Sequence, residues 1–278
     1  MEDSYSELLL RTATESQRLD QQFDIITQNI GYLLHPSIRS KLSSSPSIAD
    51  VGTGTGRFPL QLAKEYPEAT LRGFDMSSAQ FPDPKTLPPN VTLGVWDVKQ
   101  PPPDEEHGRY DVVHVRFVGA GMDSRDWETA VGHLFGLLKP GGVLQWAEGD
   151  VANGAFYRGE TDSRVATIQA VGKRFRDALQ KRVSYGIESL PQIMKDTRFV
   201  HTEEDVVSSD RIAETRSALT RIGMVAAFGW ARMMTAHGAP GSFEMDELKR
   251  LEDRVSEEIE SGAYSRYDIH IVIALKVA

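Results

Sequence analysis

The stretch Asp50-Val51-Gly52-Thr53-Gly54-Thr55-Gly56 constrains the fold more than any other part of the chain. It follows the short apolar run from Ile48 and precedes an amphipathic segment from Phe58 to Tyr66, so a strand enters a tight turn and leaves it as a helix. Glycines at alternate positions let the backbone turn with positive φ and let a ligand lie against the main chain. A dinucleotide fingerprint would need a further glycine at position 57 or 59, and these hold Arg57 and Pro59. A phosphate loop would need Gly-Lys-Ser/Thr after a four-residue gap, and the sequence lacks it.

The same rhythm continues downstream. Leu71 to Asp75, Val91 to Val95, Asp111 to Phe117 and Val143 to Glu148 read as further strands. Trp127 to Leu138 reads as a helix, Lys139 to Gly142 as a turn, and the proline-rich stretch from Pro82 to Asn90 as loop. Alternation of this kind predicts an α/β fold, a mostly parallel sheet with helices on both faces. Residues 5 to 34 read as an N-terminal helix from the spacing of Leu8, Leu9, Leu19, Phe23, Ile26, Ile30 and Leu33. Beyond Asp150 the pattern loosens: residues 160 to 182 and 211 to 236 read as helices, and Val200 to Val207 and Tyr267 to Val277 as strands.

Bulk properties narrow the function. A net charge of -9 disfavours a polyanionic partner, so no nucleic acid is expected. The absence of cysteine excludes disulfides, thiolate metal sites and thiol nucleophiles. No His or acidic cluster has metal-ligand spacing, and no metal is expected. No run approaches the ~20 apolar residues of a membrane span, and the acidic start of the chain is unlike a secretory signal. The expectation is a soluble, cytoplasmic monomer or homodimer with no membrane partner.

Asp-x-Gly-x-Gly-x-Gly is the signature of class I S-adenosylmethionine-dependent methyltransferases, and it is complete here. Asp75, at the end of the second strand, is placed to accept from ribose hydroxyls, and Asp97, after the third, from an adenine amino group. Acids just past the carboxyl ends of successive strands suit the crevice of an open α/β sheet. Over about residues 5 to 150 the chain resembles the fungal small-molecule methyltransferases of natural-product pathways, a group that includes relatives of a regulator of secondary metabolism. The resemblance rests on Glu15-Ser16-x-Arg18-Leu19-x-x-Gln22, His35-Pro36-Ser37-Ile38, the glycine stretch, Gly73-Phe74-Asp75-Met76-Ser77, Tyr110 to Arg116, Leu138 to Gly142, Leu144-Gln145-Trp146 and Glu148. Phe23 stands where the family often has His. The resemblance implies a Rossmann-like seven-stranded sheet whose last strand, Tyr267 to Val277, is antiparallel. It also implies a helical cap over residues 1–45 and a methyltransferase domain over 46–278, with a helical lid at about 208–262.

The cofactor expected is S-adenosyl-L-methionine, at Asp50, Gly52, Thr53, Gly54, Gly56, Asp75, Met76, Trp96, Asp97, Val98 and Arg116. The expected reaction is methyl transfer to a hydroxyl, N–H or thiol of a small molecule. Because the donor is already activated, the protein's tasks are alignment, exclusion of water and help with the acceptor's proton. Glu148 and His114, at the ends of the fifth and fourth strands, are the candidate catalytic groups; His201 and His237 stay open. Trp230, Met233 and Met234 are either an apolar substrate wall or plain core. The intact motif is equally compatible with a fold relative that keeps the cofactor for a cyclisation or rearrangement, or that acts as a regulator.

Overall fold

The computed structural model describes residues 13–238 and 242–277. In chain order the strands are β1 (Ser47–Val51), β2 (Thr70–Asp75), β3 (Val91–Val95), β4 (Tyr110–Arg116), β5 (Leu138–Gly149), β6 (Ala155–Arg158), β7 (Phe199–Ser208), β8 (Ala263–Arg266) and β9 (Asp268–Lys276). The helices longer than one turn are α1 (Ala13–Ile30), α2 (Arg57–Glu65), α3 (Asp126–Leu137), α4 (Ala166–Asp196), α5 (Arg216–Ala236) and α6 (Met245–Glu260). Seven strands form one sheet in the order β3-β2-β1-β4-β5-β9-β7, and β6 pairs with β8 in a separate ribbon. The first five strands pair in parallel, and β9 is antiparallel to both β5 and β7. The expected sheet with its antiparallel late strand is therefore present.

The central strands are apolar on both faces because helices cover both. One face packs Ala49, Val51, Val113, Val115, Leu144 and Trp146 under α3 and the end of α4. The other packs Ile48, Val112, Ala147 and Ile271 under α2 and α1, which contribute Phe58, Leu62, Ile26 and Ile30. Strand alternation then decides which polar side chains meet. Asp50, His114 and Gln145 are register partners on the α1 and α2 face. Trp146 is the partner of Val115, so Glu148, two residues on, belongs to the α3 face.

Two expectations need adjustment. Lys139 to Gly142 is not a turn ahead of the fifth strand but a bulge within it. Leu138 already pairs with Tyr110 and pairing resumes at Val143 with Val112, leaving residues 139–142 opposite Asp111 alone. Gly141 takes the positive φ of +80° that such a bulge demands. The helix read at 160 to 182 runs instead from Ala166 to Asp196 with Pro191 inside it. The N-terminal helix spans Ala13–Ile30; Leu8 and Leu9 lie outside the described residues.

Between β7 and β9, α5 and α6 pack with the start of α4 into a separate cluster around Ile168, Phe228, Leu248 and Ile259. Trp230 joins this packing edge-on to Phe175, which makes it core rather than an open wall. No helix among the described residues is long and apolar enough to cross a membrane.

Candidate active site

The turn after β1 is built by Gly52, Gly54 and Gly56 at φ of +75°, +55° and +74°, conformations a side chain would strain. A Cβ on Gly52 would also overlap Val118 Cγ1. Asp75 fastens this turn to β2: its Oδ2 accepts from Gly54 N at 2.9 Å and its Oδ1 from Ser77 N at 3.2 Å. Gly52 is exposed, and Gly54, Asp75, Met76 and Asp97 are half-buried, so they line an open rim. Asp97 closes a turn on Lys99 N at 3.0 Å.

Trp96 and Val98 do not share this rim. Both are core residues: Trp96 lies edge-on to Phe74 and donates from Nε1 to the carbonyls of Gln100 and Pro101 at 3.1 and 3.2 Å. Sequence position alone could not separate them from Asp97, because the chain turns inward on both sides of it. Thr53 is also buried, its hydroxyl without a hydrogen-bond partner among the described residues.

His114 is likewise interior. Its Nδ1 meets Asp50 Oδ1 at 2.7 Å, and its ring stacks on Phe58 of α2 at a centroid distance of 3.7 Å. Burial depresses its pKa, against the opposing pull of Asp50, so the neutral ring donates from Nδ1 to the carboxylate. At 1% exposure it has no path to an acceptor. The structure puts it beneath helix α2, supporting Asp50, rather than in a catalytic position.

Glu148 is buried on the opposite face. Its Oε1 accepts from Val118 N at 2.8 Å, Gly119 N at 2.9 Å and Trp146 Nε1 at 3.1 Å. Burial raises its pKa to about 7, against the lowering effect of these donors. Glu148 thus holds the loop that follows β4, the loop whose Val118 abuts Gly52.

Helix α1 closes the α2 face of the crevice. Asp20 accepts from Thr55 Oγ1 at 2.6 Å, and Asp24 takes Arg57 at 2.6 Å and Gln61 at 2.8 Å. Leu19 lies over Gly54, and Phe23 meets Phe58 edge-on. Arg116 reaches up to this helix, its Nη1 donating to Thr27 Oγ1 at 2.8 Å.

One group was missed by sequence reasoning. Phe117, directly after β4, has the left-handed φ of +53°, a strained conformation for an aromatic residue. Its ring and that of Tyr267 converge on the α-carbon of Gly149, where a Cβ would stand 2.6 Å from Phe117 Cε1 and 2.9 Å from Tyr267 Cε2. Burial pushes the Tyr267 phenol well above its usual pKa, so it stays protonated. The signal available in the sequence was the glycine ending one strand and the tyrosine opening another, and it is meaningful only once their antiparallel pairing is known.

Sheet order, glycine turn and Asp75 define the class: an S-adenosylmethionine-binding methyltransferase of class I. Residues 48–142 match a family model described as a methyltransferase domain. Methyltransferase grgD of Penicillium sp is 31% identical over 282 residues, covering 94% of this chain and 93% of that protein. N-methyltransferase tcpN of Claviceps purpurea is 33% identical over 204 residues, covering 70% and 69%. A solved structure of Haemonchus contortus phosphoethanolamine N-methyltransferase 2 with S-adenosyl-L-methionine aligns at a TM-score of 0.48 and 16% identity, over 93% of this chain and 52% of that one. This chain belongs to the fungal secondary-metabolite methyltransferases, and S-adenosylmethionine is its cofactor. The residues present fit that cofactor: Gly52 leaves the main chain of the turn exposed, and Asp75 stands beside it as a half-buried acceptor.

Proposed function

We propose that this chain methylates an N–H or hydroxyl group of a small natural product, bound where β4 and β5 end and β9 begins, by Phe117 and Tyr267. The observation that carries this reading is the pair of partly buried aromatic rings that meet at Gly149, one of them bearing a hydroxyl. When bound, the cofactor supplies a sulfonium-activated methyl group that needs no further activation. Gly52, Gly54 and Asp75 hold it, with Met76 and Asp97 at the rim. Asp50, locked by His114, fixes the start of the glycine turn. Glu148 keeps the loop at Val118 and Gly119 pressed toward that turn, and Tyr267 orients the acceptor's heteroatom as a neutral hydroxyl. Helix α1 and the α5–α6 region act as cap and lid, excluding water. N-methyltransferase tcpN, one of the relatives, favours nitrogen as the acceptor atom.

The test is incubation with methyl-labelled S-adenosylmethionine and a fungal metabolite extract, followed by separation of small from large molecules. Label in a small product supports the reading, and its mass identifies the acceptor. Label confined to protein or nucleic acid, or cofactor binding with no transfer at all, overturns it.

A further inference from the structure

Arg116 ends β4 on the face covered by α1 and is 9% exposed. Its guanidinium lies over the Phe23 ring, 4.8 Å from the centroid, and Nη1 is hydrogen-bonded to Thr27. Among the described residues Nε and Nη2 are buried with no partner. These two nitrogens form one edge of the guanidinium, the edge that grips a carboxylate through two parallel hydrogen bonds. Burial lowers the pKa only to about 10, so the group is charged at neutral pH. A buried cation with a free donor edge is unfavourable unless an anion completes it. The chain's own nearby carboxylate, Asp50, is already engaged by His114.

Strand order points to the missing anion. From the sheet edge the sequence runs β3, β2, β1, β4, so Asp97, Asp75, the glycine turn and Arg116 follow one another across the crevice. Adenine, ribose and the sulfonium chain of the cofactor follow the same succession, and its amino-acid end then falls at β4. We propose that Arg116 is the receptor for the cofactor's α-carboxylate, taken by the Nε and Nη2 edge. The proposal rests on the cofactor lying along the glycine turn. Because Phe23 of α1 lies against the guanidinium and Thr27 holds its Nη1, a carboxylate on the buried Nε and Nη2 edge would tie that helix to the core.

The test compares S-adenosylmethionine with its decarboxylated form, which keeps the adenosine, sulfonium and ammonium groups. Calorimetric affinities are measured for the unaltered chain, Arg116→Gln and Arg116→Lys. The unaltered chain should prefer the carboxylated ligand by about 10- to 100-fold, the worth of a charge-assisted pair. Arg116→Gln should bind both ligands alike, at the unaltered chain's affinity for the decarboxylated one, and Arg116→Lys should recover part of the preference. Without ligand, Arg116→Gln should melt no lower than the unaltered chain, since it removes an unsatisfied buried cation. Equal loss for both ligands with the preference intact overturns the proposal. If Arg116→Gln fails to fold, the Lys variant decides: an undiminished preference there also overturns it. Failure of the underlying reading is separately visible, because Asp75→Ala would then leave both affinities unchanged.

Discussion

The backbone N–H of Val118 donates to Glu148 Oε1 at 2.8 Å, joining the loop after β4 to the end of β5 on the sheet face away from α1. The carboxylate is buried and its pKa stands at about 7, so its ionisation works against folding. A group whose folded pKa is raised contributes fully below its unfolded pKa, and that contribution is lost as pH rises through the folded value. Stability should therefore decline between about pH 5 and pH 8 on account of Glu148, by roughly 3 kcal/mol. Glu148→Gln keeps an acceptor oxygen for all three donors and removes the charge. It should melt above the unaltered chain at pH 8, and the gap should close toward pH 5. Parallel melting curves across that range would refute the assignment.

Gly149→Ala would drive a methyl group into Phe117 and Tyr267. Overpacking of this kind costs about 1–3 kcal/mol, and turnover should fall with it while cofactor affinity holds. Tyr267→Phe is the milder companion change. It keeps the ring against Gly149 and should lower kcat/KM for the acceptor found by label transfer by about 10-fold, one hydrogen bond's worth, without lowering the melting temperature. An unchanged kcat/KM in Tyr267→Phe removes the hydroxyl from the acceptor site.

Asp75 holds both the glycine turn and the rim. Asp75→Ala leaves Gly54 N without its acceptor and should weaken cofactor binding by roughly 10- to 150-fold. Asp75→Asn keeps an oxygen for Gly54 and should fall between the two. Calorimetry at fixed ionic strength distinguishes them, and equal affinities for all three chains would mean that the cofactor does not lie against β2.

Asp24 pairs with Arg57 at an exposed site, the side chains being 44% and 40% accessible, so Asp24→Ala should cost at most about 1 kcal/mol of stability. Its effect should appear in the rate at which the bound product escapes. With α1 released from Arg57 and Gln61, S-adenosylhomocysteine should leave faster in stopped-flow displacement. An unaltered dissociation rate would show that α1 is packing and not a cap.

Much of this was legible in the primary structure because it is written in short-range patterns. Ile48 to Gly56 names a strand, a turn and a helix start, and Asp75 and Asp97 mark the ends of the next two strands. Legibility fails where the decision is three-dimensional. Trp96, Asp97 and Val98 are consecutive, yet only Asp97 faces the rim, since the indole is spent on Phe74 and two carbonyls. His114 and Glu148 both end in the crevice region by strand position. Whether they meet depends on the parity of two strands and on the bulge opposite Asp111, and the structure puts them on opposite faces. The Phe117–Gly149–Tyr267 seat depends on the pairing of β5 with β9, segments more than a hundred residues apart.

That pairing has a further consequence for how the molecule is made. β9 is the last of the seven strands in the chain, yet it lies inside the sheet, between β5 and β7. During synthesis β5 waits with an open hydrogen-bonding edge, and β7, whose partner in the sheet is β9, has no strand to pair with. The sheet closes only when β9 emerges and bridges them across a long chain separation, a slow step that leaves sticky edges exposed. A ribosome that stalls in α6 therefore holds a chain whose glycine turn and first five strands are made, but whose β7 has nothing to pair with.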